Sequence, residues 1–405
     1  MIQFNDQQLD AIKKLVKWYF VDAYHQQCFA LSGFAGTGKS TTINTAVKML
    51  GIPFDDVVFA TFTAKASLVL RLKGNPSNTI HKTFYNIYKG KKSFSFALKH
   101  KLSSNIKLIV IDEASMINQK MLDDITSFNV PVVLLMDEGQ IPPIFGSNIY
   151  IDEPKKYMDV QLTQVMRQDD SSGILDLAMA ARNGTPLSVG KYKDSSVVKM
   201  HDIMHKIHEY DIVLCYSNKN RRRLNNLIRE KLGYKSIYPC VGEKVLCMMN
   251  NYSYTVEYKE VPIFIINGLI GYVQEEPKVI TDDAADDLEV LKLKFRPYFI
   301  RDLDDPNMDL DVKCFKEIFE QYAKDPSKEA FIESLYRDDL ESEDLDDLCM
   351  IDYGYAITVH KSQGSSWPNV LVVVDIKGKS PDFYNKWLYT AITRAEKSVT
   401  VAFLD

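Results

Sequence analysis

Cysteine is sparse in this chain of 405 residues. Cys28, Cys215, Cys240, Cys247, Cys314 and Cys349 include no C-x-x-C pair, which excludes a disulfide framework or zinc knuckle and reads as reduced thiols of a cytosolic protein. No run of roughly 18 apolar residues exists to span a bilayer. Met1-Ile-Gln-Phe-Asn-Asp-Gln-Gln lacks the basic start and apolar stretch of a secretion signal. There is no internal repeat, which excludes a solenoid, and no Pro- or Gly-rich linker. Histidine is scarce too. His201, His205 and His208 could share one helical face, but no Cys or second acidic cluster completes a metal site, and a solvated face is the default reading.

Hydrophobic residues make up 46% and charged residues 25%, the ordinary balance of a globular chain long enough for two or three domains. The net charge of −5 argues against a nucleic-acid partner only until it is divided along the chain. Glu275 to Met350 holds 24 acidic and 10 basic residues, and the remainder holds 30 and 39. The acid is local, so the rest of the chain is free to present a basic groove.

Buried strands are expected at Cys28–Leu31, Val57–Ala60, Leu108–Ile111 and Val132–Met136, each a short apolar run between helical stretches. That alternation implies an α/β lobe with a parallel sheet covered on both faces. Ile212–Tyr216, Val370–Val374 and Val399–Phe403 imply a second such sheet. The expected division is a first lobe over 1–185 with an insertion at about 82–105, a second over 186–239 and 351–405, and an insertion over 240–350. The first insertion interleaves Lys89, Lys91, Lys92, Lys99 and Lys101 with Phe84, Tyr85, Tyr88, Phe94 and Phe96. The second starts β-rich at Glu243–Met248 and Leu269–Val273, then turns acidic and helical around Val312–Tyr336.

Gly33-Phe-Ala-Gly-Thr-Gly-Lys39-Ser40 fits G-x-x-x-x-G-K-[ST] between a strand and a helix. Gly36, Thr37, Gly38, Lys39, Ser40 and Thr41 are the candidate ATP contacts: backbone N–H groups wrap the phosphates, Lys39 reaches the outer ones, and the Ser40 hydroxyl ligates Mg²⁺. Kinases, GTPases and motors share this loop. Leu108-Ile-Val-Ile-Asp112-Glu113 narrows the choice, because Asp112 holds Mg²⁺ through its waters while Glu113 activates a water, which favours hydrolysis over transfer to another acceptor. Met136-Asp-Glu-Gly-Gln140-Ile-Pro-Pro143 adds a γ-phosphate contact in Gln140. Leu162-Thr-Gln-Val-Met-Arg167 and Leu388-Tyr-Thr-Ala-Ile-Thr-Arg394 add cations for the charge that builds up in the transition state.

In this order the segments resemble superfamily 1 DNA helicases of the RecD and Dda branch, whose small phage members are closest in length and layout. The likeness extends over most of the chain. Gln8-Leu-Asp-Ala11 matches the adenine-contacting motif, which implies that role for Gln8. Thr63-Ala-Lys-Ala66 and Thr79-Ile-His81 match strand-contacting motifs, and Arg182-Asn-Gly184, Ser217-Asn218-Lys219, Gly242 to Asn251 and Asn267 to Val273 are further matches. Tyr355 to Trp367 marks the second lobe. There the resemblance implies that Gln363 and Gly364 approach the γ-phosphate, while Thr358, His360 and Lys361 lie on the nucleic-acid track. Phe62 stands where the family has Pro, and Met136 where a Gly is common.

The resemblance implies two RecA-like lobes that clamp one ATP with Mg²⁺ and walk on single-stranded DNA, 5′ to 3′. Thr63, Lys65, His81, Asn218, Thr358, His360 and Lys361 are the implied DNA contacts, and single-stranded and forked DNA the partners. Phe94 or Phe96 is expected at or near the tip of a strand-separating wedge, with an ordinary loop as the alternative. The late insertion is read as an SH3-like barrel followed by an acidic segment. That segment is either a docking surface for a replication or recombination protein or merely solvated, and in both cases Asp282–Asp347 would be dispensable for ATP turnover. A monomer in the cytoplasm is expected, the host's if the protein is phage-encoded. An ATP-switched translocase that does not separate strands is the competing reading, and a P-loop kinase leaves the second lobe unexplained.

Overall fold

The computed structural model describes residues 3–404 apart from 90–93, 144–145, 167–171, 283–287, 299–305 and 331–346. Two compact units make up the chain. One comprises Met1–Tyr88, Ser95–Leu187 and Ser380–Glu396, the other Lys89–Phe94, Ser188–Lys379 and Lys397–Asp405.

The first unit is built on a parallel sheet of β1 (Cys28–Gly33), β2 (Val57–Thr61), β3 (Ser77–Thr79), β6 (Leu108–Asp112), β7 (Val132–Met136) and β8 (Val160–Leu162), in the order β3-β2-β6-β7-β1-β8. Its central strands are nearly unbroken apolar runs because both faces are covered. Phe29, Leu31, Val110, Val133 and Leu135 pack on one side, against Ile12, Leu15, Ile43 and Val47 of helices Asp6–Lys17 and Lys39–Leu50. Ala30, Ile109, Ile111 and Leu134 pack on the other, with Ile80, Phe84, Leu122 and Ile125. After β1 the chain crosses to β2, leaving β7 and β6 between them. The loop after β1 therefore opens at the carboxyl ends of the strands, where α/β sheets receive ligands. β4 (Tyr85–Lys89) and β5 (Phe94–Leu98) form a separate two-stranded ribbon.

The second unit carries a sheet of β9 (Gly190–Tyr192), β10 (Ser195–Lys199), β11 (Ile212–Cys215), β21 (Ala356–Thr358), β22 (Trp367–Val374) and β23 (Ala395–Phe403), in the order β21-β11-β22-β23-β10-β9. Between helix Asn218–Leu232 and β21 lies a third sheet, of β12 (Lys244–Cys247), β15 (Ile270–Val273), β16 (Lys278–Asp282), β17 (Leu288–Pro297), β18 (Leu310–Cys314), β19 (Leu348–Cys349) and β20 (Ile351–Tyr353). It is antiparallel apart from the β18–β19 pair, and a hairpin of β13 (Asn251–Tyr258) and β14 (Val261–Ile265) stands beside it.

Three expectations change here. Val312–Cys314 is strand, because Leu310-Asp-Val-Lys-Cys alternates buried and outward residues, and helix is confined to Glu317–Lys324 before the described residues break off at 330. Nor is the acidic stretch a detachable surface: β17 pairs with β15 and β18, so removing 282–347 strips strands from the sheet. Several of its carboxylates are paired with the sheet's own cations, Asp282 with Lys313 at 2.7 Å, Asp309 with Arg296 at 2.7 Å, and Glu289 with Lys316 at 3.0 Å. Finally, His201 lies in the four-residue helix Met200–Ile203 while His205 and His208 lie in the 3₁₀ turn Met204–Glu209, so the three do not share one α-helical face.

Candidate active site

The loop Gly33–Lys39 closes over the end of β1, and two of its glycines make the path sterically open. Gly36 and Gly38 sit at φ 82° and 79°, the left-handed region that side chains disfavour. Lys39 begins helix Lys39–Leu50, and its ammonium donates to the Gly33 and Phe34 carbonyls at 2.7 and 3.1 Å. Thr41 is exposed in the first turn of that helix, and Thr37 is buried. Gln8 braces the loop from outside. Its Nε2 donates to the Thr37 carbonyl at 3.0 Å, while its main-chain N–H and Oε1 complete a capping box with Asn5. A Cβ on Gly38 would come within 2.6 Å of Gln8 Nε2, so glycine and glutamine fit as a pair.

β6 delivers the carboxylates. Ser40 Oγ donates to Asp112 Oδ2 at 3.1 Å, which places two hard oxygen donors side by side, the donor set that suits Mg²⁺. Glu113 sits at φ 54°, a left-handed conformation that costs a non-glycine residue about 1–3 kcal/mol and is tolerated where the surroundings over-determine it. By surface exposure Glu113 is half-buried, yet burial of the carboxyl pushes its pKa up, reinforced by Asp112 and opposed by Arg394 and Lys39.

Gln140 follows β7 and is buried, with its Oε1 lacking a hydrogen-bond partner among the described residues. Arg394 is buried as well, held by its Nε on the Thr390 carbonyl at 3.0 Å. It lies two residues beyond helix Pro381–Ile392, which groups with the first unit although it links two strands of the second sheet. Lys39, Asp112, Glu113, Gln140 and Arg394 thus belong to one unit. Arg167 lies outside the described residues.

In the same unit, Thr63 caps helix Ala64–Leu72 through Ala66 N–H at 3.2 Å, with Lys65 in the first turn. His81 lies under the β4–β5 ribbon, where burial lowers its pKa and the Phe96 ring sits 4.8 Å from it. The ring of Phe62, the residue in the family's Pro position, lies 6.1 Å from that of His81. Phe96 is 48% exposed, and the side chain of Phe94 lies outside the described residues.

In the second unit Thr358 caps helix Val359–Ser362, which carries His360 and Lys361. Burial and the nearby Lys379 lower the His360 pKa. Lys361 donates to Asn267 Oδ1 at 2.7 Å, and its pKa is pushed down to about 8 by burial and then by Arg221. Gln363 ends the helix with a buried Nε2 that lacks a partner among the described residues, and Gly364 turns the chain at φ 76°. Asn218 is exposed at the start of helix Asn218–Leu232. Sequence reasoning passed over Tyr216 just before it, whose ring lies 6.4 Å from that of His360 and 5.9 Å from Lys379 Nζ. It also left Tyr389 and Asp137 without roles, although both lie inside the motifs that carry Arg394 and Gln140.

Comparisons with known proteins point the same way. Residues 3–203 match the AAA domain family, and residues 353–402 match the UvrD-like helicase C-terminal domain. An uncharacterized protein of Acanthamoeba polyphaga mimivirus is 25% identical across 97% of this chain and 98% of its own length. The ATP-dependent RecD2 DNA helicase of Deinococcus radiodurans is 21% identical over 90% of this chain, which spans 45% of that relative. Among solved structures, the Pif1 helicase of Candida albicans superposes with a TM-score of 0.54 at 14% identity, covering 99% of this chain and 94% of that one. Bacteroides Pif1 bound to single-stranded DNA gives 0.52 at 18% identity, covering 99% and 92%. These likenesses carry the two-lobed RecA-like fold.

Proposed function

This chain belongs to the superfamily 1 helicases of the RecD, Pif1 and Dda type and is an ATP-dependent DNA helicase, and from that premise we propose that it steps along single-stranded DNA 5′ to 3′ and opens duplex DNA at a fork. The observation that carries the hydrolytic half is that Asp112 accepts from Ser40 Oγ at 3.1 Å and from the Glu113 N–H at 2.9 Å, with Lys39 and Arg394 close enough to oppose the rise of the Glu113 pKa. A base among two cations and a metal-binding acid is suited to hydrolysis, in which water is the acceptor.

ATP phosphates lie against the N–H groups of Gly36 to Ser40, and Lys39 exchanges its loop carbonyls for phosphate oxygens. Ser40 and Asp112 would hold Mg²⁺, which when bound would neutralise phosphate charge. Glu113 takes the proton of the attacking water, and its raised pKa brings it closer to the operating pH, where a general base works best. Gln140 orients that water with its unpartnered amide oxygen and donates its amide N–H to the γ-phosphate, while Arg394 and Arg167 offset the charge that spreads over the transferred group.

Single-stranded DNA is held without sequence preference by Thr63, Lys65, His81, Asn218, Thr358, His360 and Lys361, through phosphate contacts and base stacking. Gln363 couples that grip to the nucleotide. Phe96 and Phe94 on the β4–β5 ribbon supply the wedge. Direction rests on the family resemblance alone; the wedge rests on the Lys- and aromatic-rich insertion and is supported by the exposure of Phe96.

ATP turnover measured with and without single-stranded DNA tests the reading. The wild type should be stimulated, Lys39→Ala should lose turnover while retaining DNA, and turnover indifferent to DNA would overturn it.

A further inference from the structure

We infer that Tyr389 is a positioning residue for ATP hydrolysis: its hydroxyl bolts the phosphate-binding loop to the loop that carries Gln140. The inference rests on the hydrolytic reading above. The ring is buried in helix Pro381–Ile392, and its oxygen is used twice. It accepts from the Ala35 N–H at 3.1 Å and donates to Asp137 Oδ2 at 2.8 Å.

Asp137 is the hub of the second loop. Its carbonyl accepts from Gln140 N–H at 3.0 Å, and its Oδ1 accepts from Gly139 N–H at 3.1 Å and from Arg182 Nη1 at 2.7 Å. One residue further along the helix, Thr390 Oγ1 accepts from Ile141 N–H at 3.0 Å. Consecutive residues of one helix therefore hold the turn 137–141 at both ends, with Gln140 between them. Arg182 closes the arrangement. Its guanidinium lies 4.3 Å over the Phe34 ring and 5.3 Å over the Tyr389 ring, and its far end pairs with Glu138 at 2.7 Å.

Two neighbouring residues of the phosphate loop, Phe34 and Ala35, are thus fixed to two neighbouring residues of the Gln140 loop, Asp137 and Glu138, by one phenol and one guanidinium. A small displacement of a positioning group costs turnover more than binding, because geometry is needed most in the transition state. Lys39 and the loop N–H groups remain in place to bind ATP when the hydroxyl is absent, but Gln140 is released relative to them. Arg394 follows the helix that positions Gln140 by two residues and is held to it at the Thr390 carbonyl, so a shift of this helix moves both together.

The test is steady-state ATP turnover by full-length Tyr389→Phe at saturating single-stranded DNA, with a thermal midpoint measured alongside. The variant keeps the ring on Arg182 and removes only the hydroxyl. The expected result is a fall in kcat of about tenfold, the scale of one well-placed hydrogen bond, with KM for ATP within about twofold. In a Gln140→Ala background the same change should add less than about twofold, because it acts through Gln140. If Tyr389→Phe does not fold, Thr390→Val probes the other end of the turn and should give the same kcat signature. Unchanged kcat in a folded variant, a matching rise in KM, or a full tenfold loss on top of Gln140→Ala would each overturn the inference. A wild type without DNA-stimulated turnover would overturn the hydrolytic reading itself, and an active wild type indistinguishable from Tyr389→Phe would overturn this inference alone.

Discussion

The main-chain N–H of Glu113 donates to Asp112 Oδ1 at 2.9 Å, while the other oxygen of Asp112 accepts from Ser40. One carboxylate thus fixes both the start of the left-handed residue and the hydroxyl of the phosphate loop. Removing the charge of Glu113 alone isolates its role as base: Glu113→Gln should lower kcat by about 10²–10⁴ and leave ATP binding in place. Because burial holds the Glu113 pKa above the ordinary carboxylate range, and the base works only when ionised, turnover should rise with pH through that raised value. A kcat–pH profile checks this, and an acid limb confined to the ordinary carboxylate range would contradict it.

Gly139 is required by the neighbouring guanidinium. A Cβ there would overlap Arg182 Nη1 and come within 3.2 Å of Asp137 Oδ1. Gly139→Ala should displace Arg182 from Asp137 and destabilise the protein by about 1–3 kcal/mol, the usual cost of disturbing a buried charged hydrogen bond. Chemical denaturation of Gly139→Ala, Arg182→Ala and the double variant checks it, with strongly sub-additive losses expected.

Lys361 is desolvated beside a buried ion pair, Arg221 Nη2 on Asp352 Oδ2 at 2.7 Å, with Tyr322 donating to the same carboxylate at 2.6 Å. Its lowered pKa of about 8 means that the cation is present below that value and lost above it. Single-strand affinity at fixed salt should therefore weaken as pH rises from 7 to 9, a range in which His360, with its lowered pKa, stays neutral. Lys361→Arg keeps its charge throughout and should flatten the dependence. An equal slope in both proteins would remove Lys361 from the DNA track.

The β4–β5 ribbon is tested by Phe94→Ala with Phe96→Ala. Base–aromatic stacking contributes about 1–3 kcal/mol per ring, so forked-duplex opening should fall by about tenfold or more while turnover on single strands is kept. Equal retention of both activities would sink the wedge.

How far the residues alone carry differs by element. The central strands of the first sheet are legible because burial on both faces leaves nearly unbroken apolar runs such as Leu108-Ile-Val-Ile and Val132-Val-Leu-Leu-Met. Lys39, Ser40, Asp112 and Glu113 are legible because their spacing within a strand and a loop is local. Val312–Cys314 misleads because an alternating strand next to a real helix blends into one amphipathic stretch. The role of Tyr389 is hidden for another reason: the Asp137 that it meets is 252 residues away in sequence, and only the docking of helix Pro381–Ile392 on helix Gly173–Arg182 brings them together.

Strand displacement on duplexes with a 5′ or a 3′ single-stranded tail, with ATP and Mg²⁺, tests the central claim most directly. The account predicts that the wild type displaces the strand from the 5′-tailed duplex, that the 3′-tailed duplex stays closed, and that Lys39→Ala displaces neither while still binding single strands. DNA-stimulated turnover without displacement from either duplex would contradict it and identify a translocase that does not separate strands.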